Sequence, residues 1–101
     1  MNETQNAVIT STMLGKEGHG IPSFMIRMDL QNNNSQGFGG YDLRHPNHHV
    51  AVFEILDAVD VKRWEELVGT NVRIKGSFNK IDAIGHIVKD QWYTPNTETS
   101  S

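Results

Sequence analysis

The run Ser23-Phe24-Met25-Ile26-Arg27-Met28-Asp29-Leu30 alternates residue by residue. Phe24, Ile26, Met28 and Leu30 fall on one side of an extended chain, and Ser23, Met25, Arg27 and Asp29 on the other. That period of two predicts a strand with one face on a core and the other open. Upstream, residues 7–14 include Val8, Ile9, Thr10 and Thr12 and read as a second strand, because β-branched side chains pack well on a pleated surface. The intervening Gly15-Lys16-Glu17-Gly18-His19-Gly20 has turn composition, so the two strands are expected to pair as an antiparallel hairpin.

Downstream, Gln31-Asn32-Asn33-Asn34-Ser35-Gln36 reads as a polar turn and residues 37–43 as a third, glycine-interrupted strand. Arg44-His45-Pro46-Asn47 ends that strand, and Asn47 is placed to cap a helix over 48–59 with its apolar stripe on Val50, Val52, Phe53, Leu56 and Val59. Asp60 is a suitable N-cap for a short second helix over 61–68, which Gly69 stops. Residues 71–75 and 81–88 return to strand patterns, and Trp92 and Tyr93 follow as an anchor to the core or to another subunit. The expected fold is α+β in the order β-β-β-α-α-β-β: an antiparallel sheet of about five strands with two helices on one face. One domain over 7–93 is expected, with disordered ends at 1–6 and 94–101.

Composition narrows the function classes. Nine Lys and Arg against 12 Asp and Glu give the 101-residue chain a net charge of -3, which argues against a sequence-independent binder of nucleic-acid polymers. A small anionic ligand needs only a few clustered cations. The absence of cysteine removes disulfides and thiolate metal sites and fits a cytoplasmic setting. The first residues do not read as a basic-then-apolar leader, so none is expected, and no apolar run approaches the roughly 20 residues needed to cross a membrane.

Two local signatures, Gly37-Phe38-Gly39-Gly40-Tyr41-Asp42-Leu43 and Ile84-Gly85-His86-Ile87-Val88-Lys89-Asp90-Gln91-Trp92-Tyr93, put glycines beside aromatics. Such glycines either let backbones pass closely or bring backbone amides to a ligand; both readings stand for the first run. It lacks the third glycine of a dinucleotide fingerprint and the Gly-Lys-Ser/Thr of a phosphate loop. His45, His48 and His49 have no acidic residue within the segment to complete a metal set, so no metal or other cofactor is expected. Ser23, Ser35 and Ser77 lack a nucleophile-elbow context, and the chain reads as a binder rather than an enzyme. The candidate ligand set is Arg27, Arg44, Arg73 and Lys75, with Phe38, Tyr41, Phe78 and Asn79 at the rim of one concave face. Guanidinium groups grip phosphates, aromatics stack on a base, and an Asn amide reads an adenine edge.

With those residues in view, the chain resembles a family of small phage and prophage proteins, the anti-Thoeris sponges. The resemblance rests on Leu14-Gly15-Lys16-Glu17-Gly18-His19-Gly20-Ile21, Gln36-Gly37-Phe38-Gly39-Gly40-Tyr41, Trp64-Glu65-Glu66-Leu67-Val68-Gly69, Val72-Arg73 and Ile84-Gly85-His86-Ile87-Val88-Lys89-Asp90-Gln91-Trp92-Tyr93. It implies a cytoplasmic protein of the infected host that sequesters a cyclic nucleotide immune signal, an isomer of cyclic ADP-ribose made by a TIR enzyme, without cleaving it. It also implies dimers or higher homo-oligomers whose subunits build anionic-ligand pockets from arginines, an aromatic and an asparagine. The chain departs from the pattern by being short between Tyr41 and the expected helix. A sponge of this kind needs nanomolar affinity, roughly -12 kcal/mol. The competing expectation is an inhibitor that binds a host defence protein directly, in the manner of an anti-CRISPR, through Asp57, Asp60, Glu65 and Glu66.

Overall fold

A computed structural model describes residues 3–31, 34–77 and 80–95. Strand β1 (Glu3–Lys16) leads into β2 (Pro22–Leu30) and β3 (Ser35–Gly39). Helix α1 (Ala51–Val59) and a single 3-10 turn (Trp64–Glu66) follow, and β4 (Asn71–Ser77), β5 (Lys80–His86) and β6 (Trp92–Tyr93) complete the chain. All six strands form one antiparallel sheet in the order β3-β2-β1-β4-β5-β6.

The predicted hairpin forms, pairing Ala7 with Leu30 at one end and Lys16 with Pro22 at the other. Strand β1 is shared: its first part pairs with β4 and its longer remainder with β2. The register slips between Ile9 and Ser11. This bulge matters because residues five apart on a regular strand face opposite ways, whereas here Asn6 and Ser11 end up on the same face. The sheet also curls. Strand β3 approaches β5, and the rings of Phe38 on β3 and Tyr93 on β6 stand 6.3 Å apart.

The inside of the curl is the core. Phe24, Ile26, Met28 and Leu30 are buried as their alternation predicts, together with Ala7, Ile9, Phe38, Val72, Ile74 and Ile84. Helix α1 closes this core with Ala51, Val52, Ile55, Leu56, Ala58 and Val59, packing against β5 and β6. The outside of the curl carries Met25, Arg27, Asp29, Arg73 and Lys75, as expected of the second face. Among the described residues no helix is long and apolar enough to cross a membrane.

Five expectations are corrected. Strand β1 begins at Glu3, so residues 3–6 belong to the sheet: they pair with β4. The helix begins at Ala51 rather than residue 48, because a succession of tight turns occupies 42–51, with His45 N–H bonded to Asp42 O, His48 N–H to His45 O and Ala51 N–H to His48 O. Asp60 ends this helix instead of starting another: its φ of 65° is left-handed, and its N–H returns to Leu56 O. The second helix contracts to the one 3-10 turn, since Arg63 is extended and the Glu66 carboxylate accepts the N–H groups of Lys62 and Arg63 at 2.9 and 3.3 Å. The fifth correction is one of number, six strands against about five, because Trp92 and Tyr93 pair with Gly85 and Ile84. The expected tail from residue 96, and residues 1 and 2, lie outside the described residues.

Candidate functional site on the outer sheet face

Three cross-strand rows order the outer face of β1, β2 and β3. They run Met13-Met25-Gly39, Ser11-Arg27-Gly37 and Val8-Asp29-Ser35. The first is apolar, the second cationic, and the third closes with Ser35 Oγ donating to Asp29 Oδ1 at 3.0 Å. Arg27 is exposed, and among the described residues its side chain makes no ion pair or hydrogen bond. Thr10 Oγ1 instead donates to the Arg27 carbonyl at 3.3 Å, bracing the backbone at the bulge.

The glycines of β3 differ in what they require. Gly39 has φ 132°, and a Cβ there would lie 2.5 Å from the Phe24 carbonyl oxygen, so both conformation and space demand glycine. Gly40, at φ 83°, continues the same crossover and donates its N–H to Phe24 O at 2.7 Å. Gly37 has no conformational constraint, and a Cβ there would crowd the flexible Met25 thioether at 3.3 Å, which must give slightly, and reach Ile26 O at an ordinary 3.9 Å.

At the opposite edge of the same face, Arg73, Lys75 and Trp92 cluster over Gly85. Arg73 pairs with Gly85, and Gly85 with Trp92. The indole lies on the glycine so closely that a Cβ would sit 2.6 Å from ring carbon Cε3. The Arg73 guanidinium carbon stands 5.0 Å and Lys75 Nζ 4.1 Å from the ring centroid, both in cation–π range. Arg73 also donates through Nε to His86 O at 2.8 Å and through Nη2 to Lys89 O at 2.7 Å. Its donors therefore hold the β5–β6 connection, and Trp92 Nε1 adds a 2.9 Å bond to Asp90. This cluster anchors β6 from the outer face; of the two residues expected to anchor in the core or at another subunit, Tyr93 enters the core and Trp92 does not.

The eight residues proposed from sequence thus fall into separate places. Arg73 and Lys75 meet at Trp92. Arg27 shares their face but pairs with Ser11, whereas Arg73 pairs with Asn6. That separates the two by about 16 Å along β1 and by two strand spacings across it. Arg44 lies in the turns after β3, bound bidentately to Asp42 at 3.1 and 3.0 Å, a pair that draws the Asp42 carboxyl down to about 2. Phe38 is not on a ligand rim: it is buried in the core with Phe24, because its side chain points opposite to those of Gly37 and Gly39. Tyr41 likewise joins the core side, 6.0 Å from Phe24 and 4.7 Å from His48. Burial, then the nearby Asp82 charge, raises the Tyr41 phenol. Phe78 and Asn79 lie outside the described residues.

A second polar feature escaped the sequence reading. Tyr93 Oη, Trp64 Nε1 and His48 Nδ1 are buried without a hydrogen-bond partner among the described residues. Burial, with the Glu54 charge, pushes the Tyr93 phenol up to about 12. His48 is lowered by burial and by His45. A groove of about 370 Å³ between α1 and β6 is lined by Glu54, Asp57, Ala58, Gln91 and Trp92. Its two carboxylates repel an anion.

No known protein family, no curated protein and no solved structure matches this chain.

Proposed function

We propose that the chain is a non-catalytic binding protein that holds a small anionic nucleotide on the outer face of β2 and β3. The observation that carries this reading is the exposed guanidinium of Arg27, whose donors are uncommitted among the described residues while those of Arg44 and Arg73 are taken up internally. Planar charge-assisted forks suit phosphate, and a strand places such a fork more firmly than a loop does. In this reading the biological ligand is the one implied by the anti-Thoeris resemblance, a cyclic ADP-ribose isomer produced as an immune signal. Sequestration in the host cytoplasm then requires affinity, not chemistry.

One arginine on an open face falls short of nanomolar binding, and association of copies supplies the remainder. A second subunit facing the β2–β3 surface would enclose the ligand and add its own cations, which supports the homo-oligomer expected from the resemblance. Native mass spectrometry of the protein with cyclic ADP-ribose isomers tests this. An oligomer that gains one nucleotide mass per site in wild type, and none in Arg27→Ala, is expected; equal uptake by both removes Arg27 from the site.

The acidic groove beside α1 favours a second reading, direct binding to a basic surface of a host defence protein. Phe53, 66% exposed next to Glu54, would supply its apolar contact. Retention of the complex by Glu54→Lys with Asp57→Lys would count against it.

A further inference from the structure

We infer that Arg27 and Gly37 form a seat for the planar base of a nucleotide, with the ring on the β3 backbone and the phosphate on the guanidinium. This rests on the anionic-ligand reading above and names which part of the ligand the glycine run receives.

The molecule contains a worked example of the same geometry. Arg73 stands directly across from Gly85, and the Trp92 ring lies against that glycine with the guanidinium carbon over the ring, 5.0 Å from its centroid. Arg27 stands directly across from Gly37 in the same sense, on the same face. In both pairs a missing side chain lowers the surface by the depth of a Cβ, and the neighbouring arginine flanks the depression. Over Gly85 the depression is filled by the chain's own indole. Over Gly37 the side chain in reach is Met25, whose Sδ would stand 3.3 Å from an added Cβ.

Backbone geometry gives no reason for glycine at 37. Its φ is not positive, and it sits inside a strand, where glycine weakens pairing and leaves nothing to pack. Gly39 and Gly40 are accounted for by their positive φ, so Gly37 alone in the run points to close approach by something else. Met25 suits a base as its neighbour, because a thioether is polarisable, pivots on three bonds and contacts aromatic rings favourably. Ser11, on the other side of Arg27 in the same row, adds a hydroxyl within the phosphate end of the seat. The order β3-β2-β1-β4-β5, curled so that β3 nears β5 with the helix between β3 and β4, is also that of the five-stranded Greek-key barrel whose second and third strands face oligonucleotides and oligosaccharides.

The test compares adenosine 5′-monophosphate with ribose 5-phosphate by titration calorimetry on the full chain, for wild type, Gly37→Val, Gly37→Ser and Arg27→Ala, with thermal melts alongside. Wild type should bind the base-bearing probe at least about tenfold more tightly, the size expected of one stacked base. Gly37→Val should melt at or above the wild-type temperature and bind the two probes equally, and Arg27→Ala should lose both. If Gly37→Val fails to fold, Gly37→Ser, which fills the depression less, carries the comparison. Equal binding of both probes by wild type, or undiminished preference for the base in the folded Gly37 variants, overturns the seat while leaving the anionic site standing through Arg27→Ala. Failure of wild type to bind either probe removes the anionic-ligand reading and the seat with it.

Discussion

Gly85 and Gly37 occupy equivalent positions on one sheet face, each across from an arginine, and differ in what covers them. At Gly85 the chain lays Trp92 on its own backbone, adds Lys75 at 4.1 Å from the ring, and spends the Arg73 donors on two carbonyls. At Gly37 the arginine stays exposed and the cover is a flexible thioether. The contrast teaches that two arginines on strands of one face can differ in whether the fold claims their donors, and the proposed site rests on the one whose donors it leaves unclaimed. Composition and alternation treat Arg27 and Arg73 alike; the hydrogen bonds do not.

Substitutions should separate the two regions, the Gly85 side being structural and the Gly37 side tolerant. The largest effect is expected for Gly85→Val, which must displace both the Gln91 carbonyl and the indole, each 2.6 Å from the new Cβ. A loss of about 3 kcal/mol follows, read as a fall in melting temperature of about 12 °C or more. Trp92→Ala should come next, costing about 2 kcal/mol because a half-buried ring and its cation contacts are removed, and hydrogen exchange at the 87–91 turn should rise with it. Gly37→Ala should move stability the other way, by about +0.5 kcal/mol, since alanine restricts the unfolded chain and meets only a movable side chain. A denaturant melt showing Gly37→Ala as damaging as Gly85→Ala would erase the distinction.

The smallest effect concerns the third arginine. Asp42 is held down to about 2 chiefly by its hydrogen bonds from the Arg44 side chain and backbone. A carboxyl depressed on folding stabilises the native state above its unfolded value near 4 and loses that contribution as the pH falls toward 2. The Asp42 side-chain carbon should therefore titrate near 2 by NMR. A midpoint close to 4 would place Arg44 with Arg27, among the uncommitted cations.

The strands and the buried face of β2 were legible because alternation is imposed by burial itself: Phe24, Ile26, Met28 and Leu30 could not be arranged otherwise. That the segment after β5 folds back with Trp92 and Tyr93 as an anchor was legible, but the contact of Trp92 with Gly85 was not, because it is set by the pairing of β6 with β5. That Arg27 and Arg44 stand apart from Arg73 and Lys75 was not legible either, because their placement depends on the bulge at Thr10 and on the turns after β3, which the alternation does not reveal. Phe38 was misplaced for a related reason. Flanked by glycines, it shows no alternating apolar partners from which to read its face. The helix start was obscured by turns around Pro46 that the apolar stripe runs straight through.

The most direct test is an amide and indole NMR map of the full chain titrated with cyclic ADP-ribose. The account predicts shifts centred on Gly37, Arg27, Met25 and Ser11, with Gly85 and the Trp92 Nε1–H unmoved; shifts centred on Trp92 and Gly85 instead would show that the filled glycine, not the exposed one, marks the ligand site.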